Sequence, residues 1–185
     1  MLSPATHSAA EVIRLLALEP LPREGGWFRR VAESDLRASN DPDVGTVIRP
    51  AGTSGIPKER RGWSSIYALF MAEDFSALHR LTSDEIWFFH AGDPLESLRL
   101  FPDGRGEWLK LGLDPNAKQL AHDVVRAGTW QGTRLQPGGR WALVSCVVVP
   151  EFSWDGFELA VRSELVGQFP NWASEITALT RIDGD

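Results

Sequence analysis

The sequence predicts an all-β domain, a sandwich or barrel of short antiparallel strands with helices only near its two ends. Three observations carry that reading. The chain has 185 residues, room for one ordinary domain and not for two. From Trp63 onward short apolar runs recur, each closed by turn residues, among them SSIYALFM, EIWFFHAG, SLRLF and WALVSCVVV. They follow one another too closely for crossover helices, which excludes an alternating βα fold. With 43% apolar and 24% charged residues, the composition is that of a globular protein able to bury a core without disulfide or metal staples.

The elements follow in order. Ser8 and Glu11 form a capping-box pattern, and Val12, Leu15, Leu16 and Leu18 mark one apolar helix face. Pro20 and Pro22 end that helix. EGGWFRRV then reads as a Gly-Gly turn into a short strand, so residues 8–36 hold a helix and a strand. Residues 37–62 are rich in Gly, Pro, Ser, Asn and Asp and read as a long surface loop with a short strand at 46–49. The barrel core spans 63–160, and Pro102-Asp103-Gly104-Arg105 marks a hairpin within it. Residues 170–181 read as a last helix, capped by Asn171, with Trp172, Ile176 and Leu179 on one side.

Charge and composition narrow the function. A net charge of −6 argues against nucleic acid, which needs a basic face. No apolar run is long enough for a membrane-spanning helix. Residues before Glu11 and Arg14 lack the cationic start of a secretory signal. The single cysteine, Cys146, excludes an internal disulfide and any cysteine-cluster zinc site, and a reducing cytoplasm is the expected home.

The chemistry centres on LHRLTSDEIWFFHAGDPL. Alternate side chains of a strand face opposite ways, so an inward His79 brings Leu81 with it. After a turn at residues 82–84, an inward Glu85 puts Trp87 and Phe89 on the same face and His90 on the other. If the two strands fold back as a hairpin, His79 and Glu85 stand within about 5 Å in the pairing direction. An imidazole and a carboxylate among aromatics can act as a base and its partner or bind a divalent metal. Tyr67, the only tyrosine, is the only candidate tyrosine acid.

These residues carry a resemblance. His79, Glu85 and Gly92 match the first motif of the cupin superfamily, with Leu81 where a second His would stand. Arg126-Ala127-Gly128-Thr129-Trp130-Gln131 resembles the second motif, with Gln131 in place of its His. EGGWFRR, SSIYALF, VRAGTWQGTRL and WALVSCVVVPEF occur in the order seen in small cupins described as predicted sugar epimerases. The sequence departs from that pattern at Phe88, where the family often has His, and at Glu151, where it often has Gly. The resemblance implies a double-stranded β-helix, or jelly-roll, barrel with short terminal helices, and a homodimer. It implies a sugar or sugar-nucleotide substrate, with His79 as base, Glu85 as its partner and Tyr67 or water as acid. Arg29 would hold an anionic substrate group, and Trp87, Phe89, Trp130 and Gln131 would line the pocket. Two alternatives stand beside it. His79, Glu85 and Gln131 would hold Fe, Mn, Ni or Zn, or the barrel would bind a small polar molecule without turnover.

Overall fold

The computed structural model describes residues 2–41, 45–50 and 60–181. The first helix, α1 (Ala9–Leu16), starts at the predicted capping box: Ser8 Oγ accepts from the Glu11 N–H, and the Glu11 carboxylate accepts from the Ser8 N–H. The strands that follow are β1 (Glu19–Pro20), β2 (Trp27–Glu33), β3 (Leu36–Asp41), β4 (Gly45–Pro50), β5 (Arg60–Arg61), β6 (Ser64–Met71), β7 (Phe75–Leu81) and β8 (Asp84–Gly92). Then come β9 (Leu95–Leu100), β10 (Gly106–Leu111), β11 (Gln119–Leu120), β12 (His122–Val125), β13 (Trp130–Leu135), β14 (Trp141–Val149) and β15 (Phe157–Leu159). Two short helices, α2 (Arg162–Gln168) and α3 (Ala173–Ala178), close the fold.

Two six-stranded sheets form the barrel. The first runs β1-β2-β6-β14-β8-β12 and the second β11-β10-β9-β13-β7-β15. Each has a late strand near its centre, β14 between β6 and β8, and β13 between β9 and β7. This is the predicted all-β jelly-roll with helices at the ends. Ala68, Phe70, Trp87, Phe89, Val144 and Leu95 fill the space between the sheets. The outer face of the second sheet is covered by α2 and α3, which bury Leu165, Phe169, Ile176 and Leu179 against Leu78, Leu98 and Trp130. Helix α1 lays Val12 against Leu69, Trp141 and Leu143 on the outer face of the first sheet. None of the described helices is long and apolar enough to cross a membrane.

Two boundaries differ from the sequence reading. β4 covers the short strand expected at 46–49, but the rest of the segment read as loop 37–62 also carries β3 and β5, which form with it a small antiparallel sheet ordered β4-β3-β5; its apolar residues are too few to show a period. Residues 42–44 and 51–59 of that segment lie outside the described residues. At the C-terminal end, the single helix expected over 170–181 is two helices. Pro170 cannot donate to the turn before it, so α2 stops at Gln168, and a 3₁₀ turn at Pro170–Trp172 leads into α3.

Candidate functional site

A cavity of about 400 Å³ opens between the sheets, and both His79 and Glu85 line it. They do not reach it as a hairpin. β7 and β8 belong to different sheets, so the turn at residues 82–83 carries the chain across the barrel. A crossover turn and a hairpin turn have the same sequence signature, because both need only a break between two alternating runs. His79 therefore projects from the second sheet and Glu85 from the first.

The alternation read in the sequence is the one observed. Glu85, Trp87 and Phe89 are buried, while Phe88 and His90 face outward. His79 is 2% exposed. Its Nδ1 lies 2.8 Å from the Ala77 carbonyl, an oxygen that only accepts, so Nδ1 carries the proton. That leaves the Nε2 lone pair for the cavity. Phe157 stacks on the ring at 5.2 Å and holds its plane.

Glu85 is clamped by a chain with a fixed direction. The Trp87 indole N–H donates to Gln131 Oε1 at 3.2 Å, which turns the amide so that Nε2 donates to Glu85 Oε2 at 2.5 Å. Gln131 can reach Glu85 because it pairs with His79 across β13 and β7, on the inner face of the second sheet. Burial pushes the Glu85 carboxyl above the usual carboxylate range, and the charge of Glu24 adds to the push. His79, the Gln131 hydrogen bond and Arg99 pull the other way. Burial likewise pushes the neighbouring Cys146 thiol well up, so it stays a neutral S–H beside Glu85.

The other expected residues sit elsewhere. Tyr67 points to the outer face of the first sheet, packs against the α1 cluster and meets His90 edge-on at 5.9 Å. Arg29 lies over the Tyr67 ring on that same outer face. Trp130 is buried under α2 and α3, outside the barrel. Trp87 and Phe89 point inward but in the packed layer beyond the cavity, where Trp87 stacks on Phe70 at 6.0 Å. Gln131 acts on the cavity through Glu85 rather than lining it.

Several cavity residues carry no signal in the sequence. Arg30, not Arg29, faces inward with Phe28, because a one-residue shift along β2 changes the face. Glu24 is brought in by the EGG turn. Gly25 and Gly26 have φ of +107° and +79°, and a Cβ on Gly26 would stand 2.7 Å from the Phe70 ring. With the turn so fixed, the Glu24 carbonyl accepts from the Ala77 N–H at 2.9 Å, and its carboxylate accepts from Ser76 Oγ at 2.7 Å. The outer wall is Phe152 to Trp154, fastened to the barrel where the Phe152 N–H donates to Ser64 Oγ at 3.0 Å and the Arg61 N–H to Glu151 Oε1 at 2.7 Å.

A jelly-roll barrel with the His79 imidazole and the Glu85 carboxyl reaching one half-enclosed, aromatic-walled cavity from facing sheets defines a cupin-type protein. The family description Cupin superfamily (DUF985) matches residues 10–160, and the chain belongs to that family. Among solved structures it is similar to protein SO0799 from Shewanella oneidensis, at 32% identity and a TM-score of 0.80, covering 96% of this chain and 100% of that one. A hypothetical protein from Leishmania major is 28% identical with a TM-score of 0.81, covering 95% and 100%. A single-residue variant of the oxalate decarboxylase of B. subtilis shares the fold at 12% identity and a TM-score of 0.50, over 88% of this chain but 37% of that one. A comparison with curated proteins finds no match.

Cupins often bind a metal, and the donors here do not fit one. Leu81 occupies one expected ligand position. At the other, the Gln131 amide is used at both ends, by Trp87 and Glu85. Among the described residues there is no group of three or more His, Cys, Asp or Glu side chains placed to hold an ion.

Proposed function

We propose that the protein is an acid–base enzyme that moves a proton at a carbon beside a carbonyl in a small sugar-class substrate, an epimerase or isomerase. The observation that carries this reading is that base and acid enter one cavity from opposing sheets. With Nδ1–H bonded to the Ala77 carbonyl, the neutral His79 ring turns the Nε2 lone pair to the cavity, and Glu85 has its carboxyl held toward the neutral form by burial. A neutral carboxylic acid can give a proton at pH 7, and an imidazole lone pair can take one. Epimerisation removes a proton from one face of a carbon and returns one to the other, which suits two groups on facing walls. The acid role expected for Tyr67 passes to Glu85, whose Oε2 accepts from Gln131, which leaves Oε1 to hold the acidic proton when the carboxyl is neutral. Hydroxyls of Ser64 and Ser153 and the rings of Phe28 and Trp154 suit a polyhydroxylated ring.

The test is isotope exchange. The protein, incubated with a panel of aldoses, ketoses and their amino and phosphorylated derivatives in D₂O, should place deuterium at the carbon beside the carbonyl, read by NMR. His79→Ala and Glu85→Gln should each slow exchange by at least about 100-fold while the barrel stays folded. Unchanged exchange in His79→Ala would remove the base from the mechanism.

A further inference from the structure

The cavity carries a charge pattern that selects among sugar-class substrates. Resting on the proton-transfer reading above, we infer that the substrate bears a protonated amine, as an amino sugar does, and that phosphorylated and nucleotide-linked sugars are rejected.

The argument starts from the walls. Three carboxyl groups line the cavity, those of Glu19, Glu24 and Glu85, against one guanidinium, that of Arg30. Arg30 is already engaged, its Nη1 donating to Glu33 Oε2 at 3.0 Å. Arg29 lies over Tyr67 on the outer face, and Arg23 is stacked on the Trp154 and Phe157 rings at 5.3 Å from each. Among the described residues neither Glu19 nor Glu24 has an ion-pair partner. Glu24 is nonetheless fixed, with Oε1 accepting from Ser76 Oγ at 2.7 Å and its other oxygen left open. Its charge is felt deep in the site, where it raises both the Glu85 carboxyl and the Cys146 thiol.

A fixed carboxylate without a partner, inside a half-enclosed cavity, is complementary to a cation and repels an anion. Phe28 and Phe152 add aromatic rings that favour an ammonium group further. A second feature points to a ligand independently of the carboxylates. His79, 2% exposed and in the cavity wall, uses Nδ1 on Ala77 and has no hydrogen-bond partner for Nε2 among the described residues. A substrate would thus be held by its amine at Glu24 while its reacting carbon lies between His79 and Glu85. Phosphate, by contrast, meets a single arginine, one already paired with Glu33, and no α-helix N-terminus among the described lining residues.

Titration calorimetry on the full chain at pH 7 tests this with glucosamine, N-acetylglucosamine and glucose 6-phosphate. Glucosamine should bind at least about tenfold tighter than its uncharged N-acetyl form, and glucose 6-phosphate should bind weakest. Glu24→Gln should abolish the tenfold preference of glucosamine over N-acetylglucosamine. The wild-type ranking decides the matter even if that variant folds poorly. Glucose 6-phosphate equal to or tighter than glucosamine, no glucosamine binding, or a preference that survives in folded Glu24→Gln would each overturn the inference. Deuterium exchange separates the two claims. Exchange on neutral or phosphorylated sugars without an amine preference leaves the proton-transfer reading standing and this one fallen. An amine preference without exchange on any sugar does the reverse for the chemistry.

Discussion

Replacing Gln131 with Leu tests the clamp on Glu85 directly. The wild-type amide satisfies two buried groups, the Trp87 indole N–H and Glu85 Oε2, on side chains that are 1% and 7% exposed. Leucine fills similar space but serves neither. A buried polar group left without its partner costs about 1–3 kcal/mol, so the two together cost about 2–6 kcal/mol. Against a typical domain stability of about 5–15 kcal/mol, that is a large fraction. With a urea slope of about 2 kcal/mol per molar, the unfolding midpoint should fall by at least about 1 M. The variant also changes the pH dependence. Glu85 sits above its unfolded value, so the folded state keeps a proton that the unfolded state has released. Stability then declines as pH rises from the unfolded carboxyl value to the folded one, by at most about 1.4 kcal/mol per pH unit for one proton. The Gln131 hydrogen bond favours the ionised form, so its loss extends the decline to higher pH. Urea titrations of both proteins from pH 5 to pH 9 measure both effects. A midpoint within about 0.2 M of wild type and a decline of unchanged extent would refute the clamp.

Glu85→Gln should remove this group's part of the decline, so that its melting temperature gains on wild type as pH rises above the unfolded carboxyl value, read by calorimetry. Gly26→Ala should cost about 1–3 kcal/mol, because φ is +79° and the new Cβ meets the Phe70 ring; chemical denaturation measures it. Tyr67→Phe should leave deuterium exchange unchanged, since that hydroxyl stands on the outer face of the first sheet. The double variant Leu81→His and Gln131→His should bind nickel or zinc at least about tenfold tighter than wild type in equilibrium dialysis, by adding two imidazoles beside His79 and Glu85.

Alternation makes one wall of the site legible before any coordinates. DEIWFFHAG has period two, and burial follows it residue by residue through β8. The partner of that wall is not legible, because which sheet a strand joins depends on pairing with β13 and β14, far along the chain. The same limit explains Arg29 and Arg30. WFRRV is apolar on both faces, so the pattern cannot say which arginine turns inward; the Phe28–Ala68 and Arg30–Ile66 pairing with β6 does. The motif puts Trp130 in the pocket, yet the inner position belongs to the next residue, Gln131, and the helices that bury Trp130 from outside lie beyond the motif. Glu24 is visible in the sequence only as part of a turn, and its role in the cavity comes from the Ser76 hydroxyl brought there by β7.

The central place of β13 and β14 bears on how the chain is made. On the ribosome β6 and β8 emerge long before β14, the strand that joins them, and β7 and β9 wait in the same way for β13. Until Trp130–Leu135 and Trp141–Val149 appear, neither sheet can close. Nascent chains therefore carry unpaired strand edges and apolar faces through most of synthesis, the condition under which strands find wrong partners. The high sequence separation of these pairings also makes closure slow once the chain is free. The architecture that surrounds His79 and Glu85 is closed late, by strands far along the chain from the ones they join.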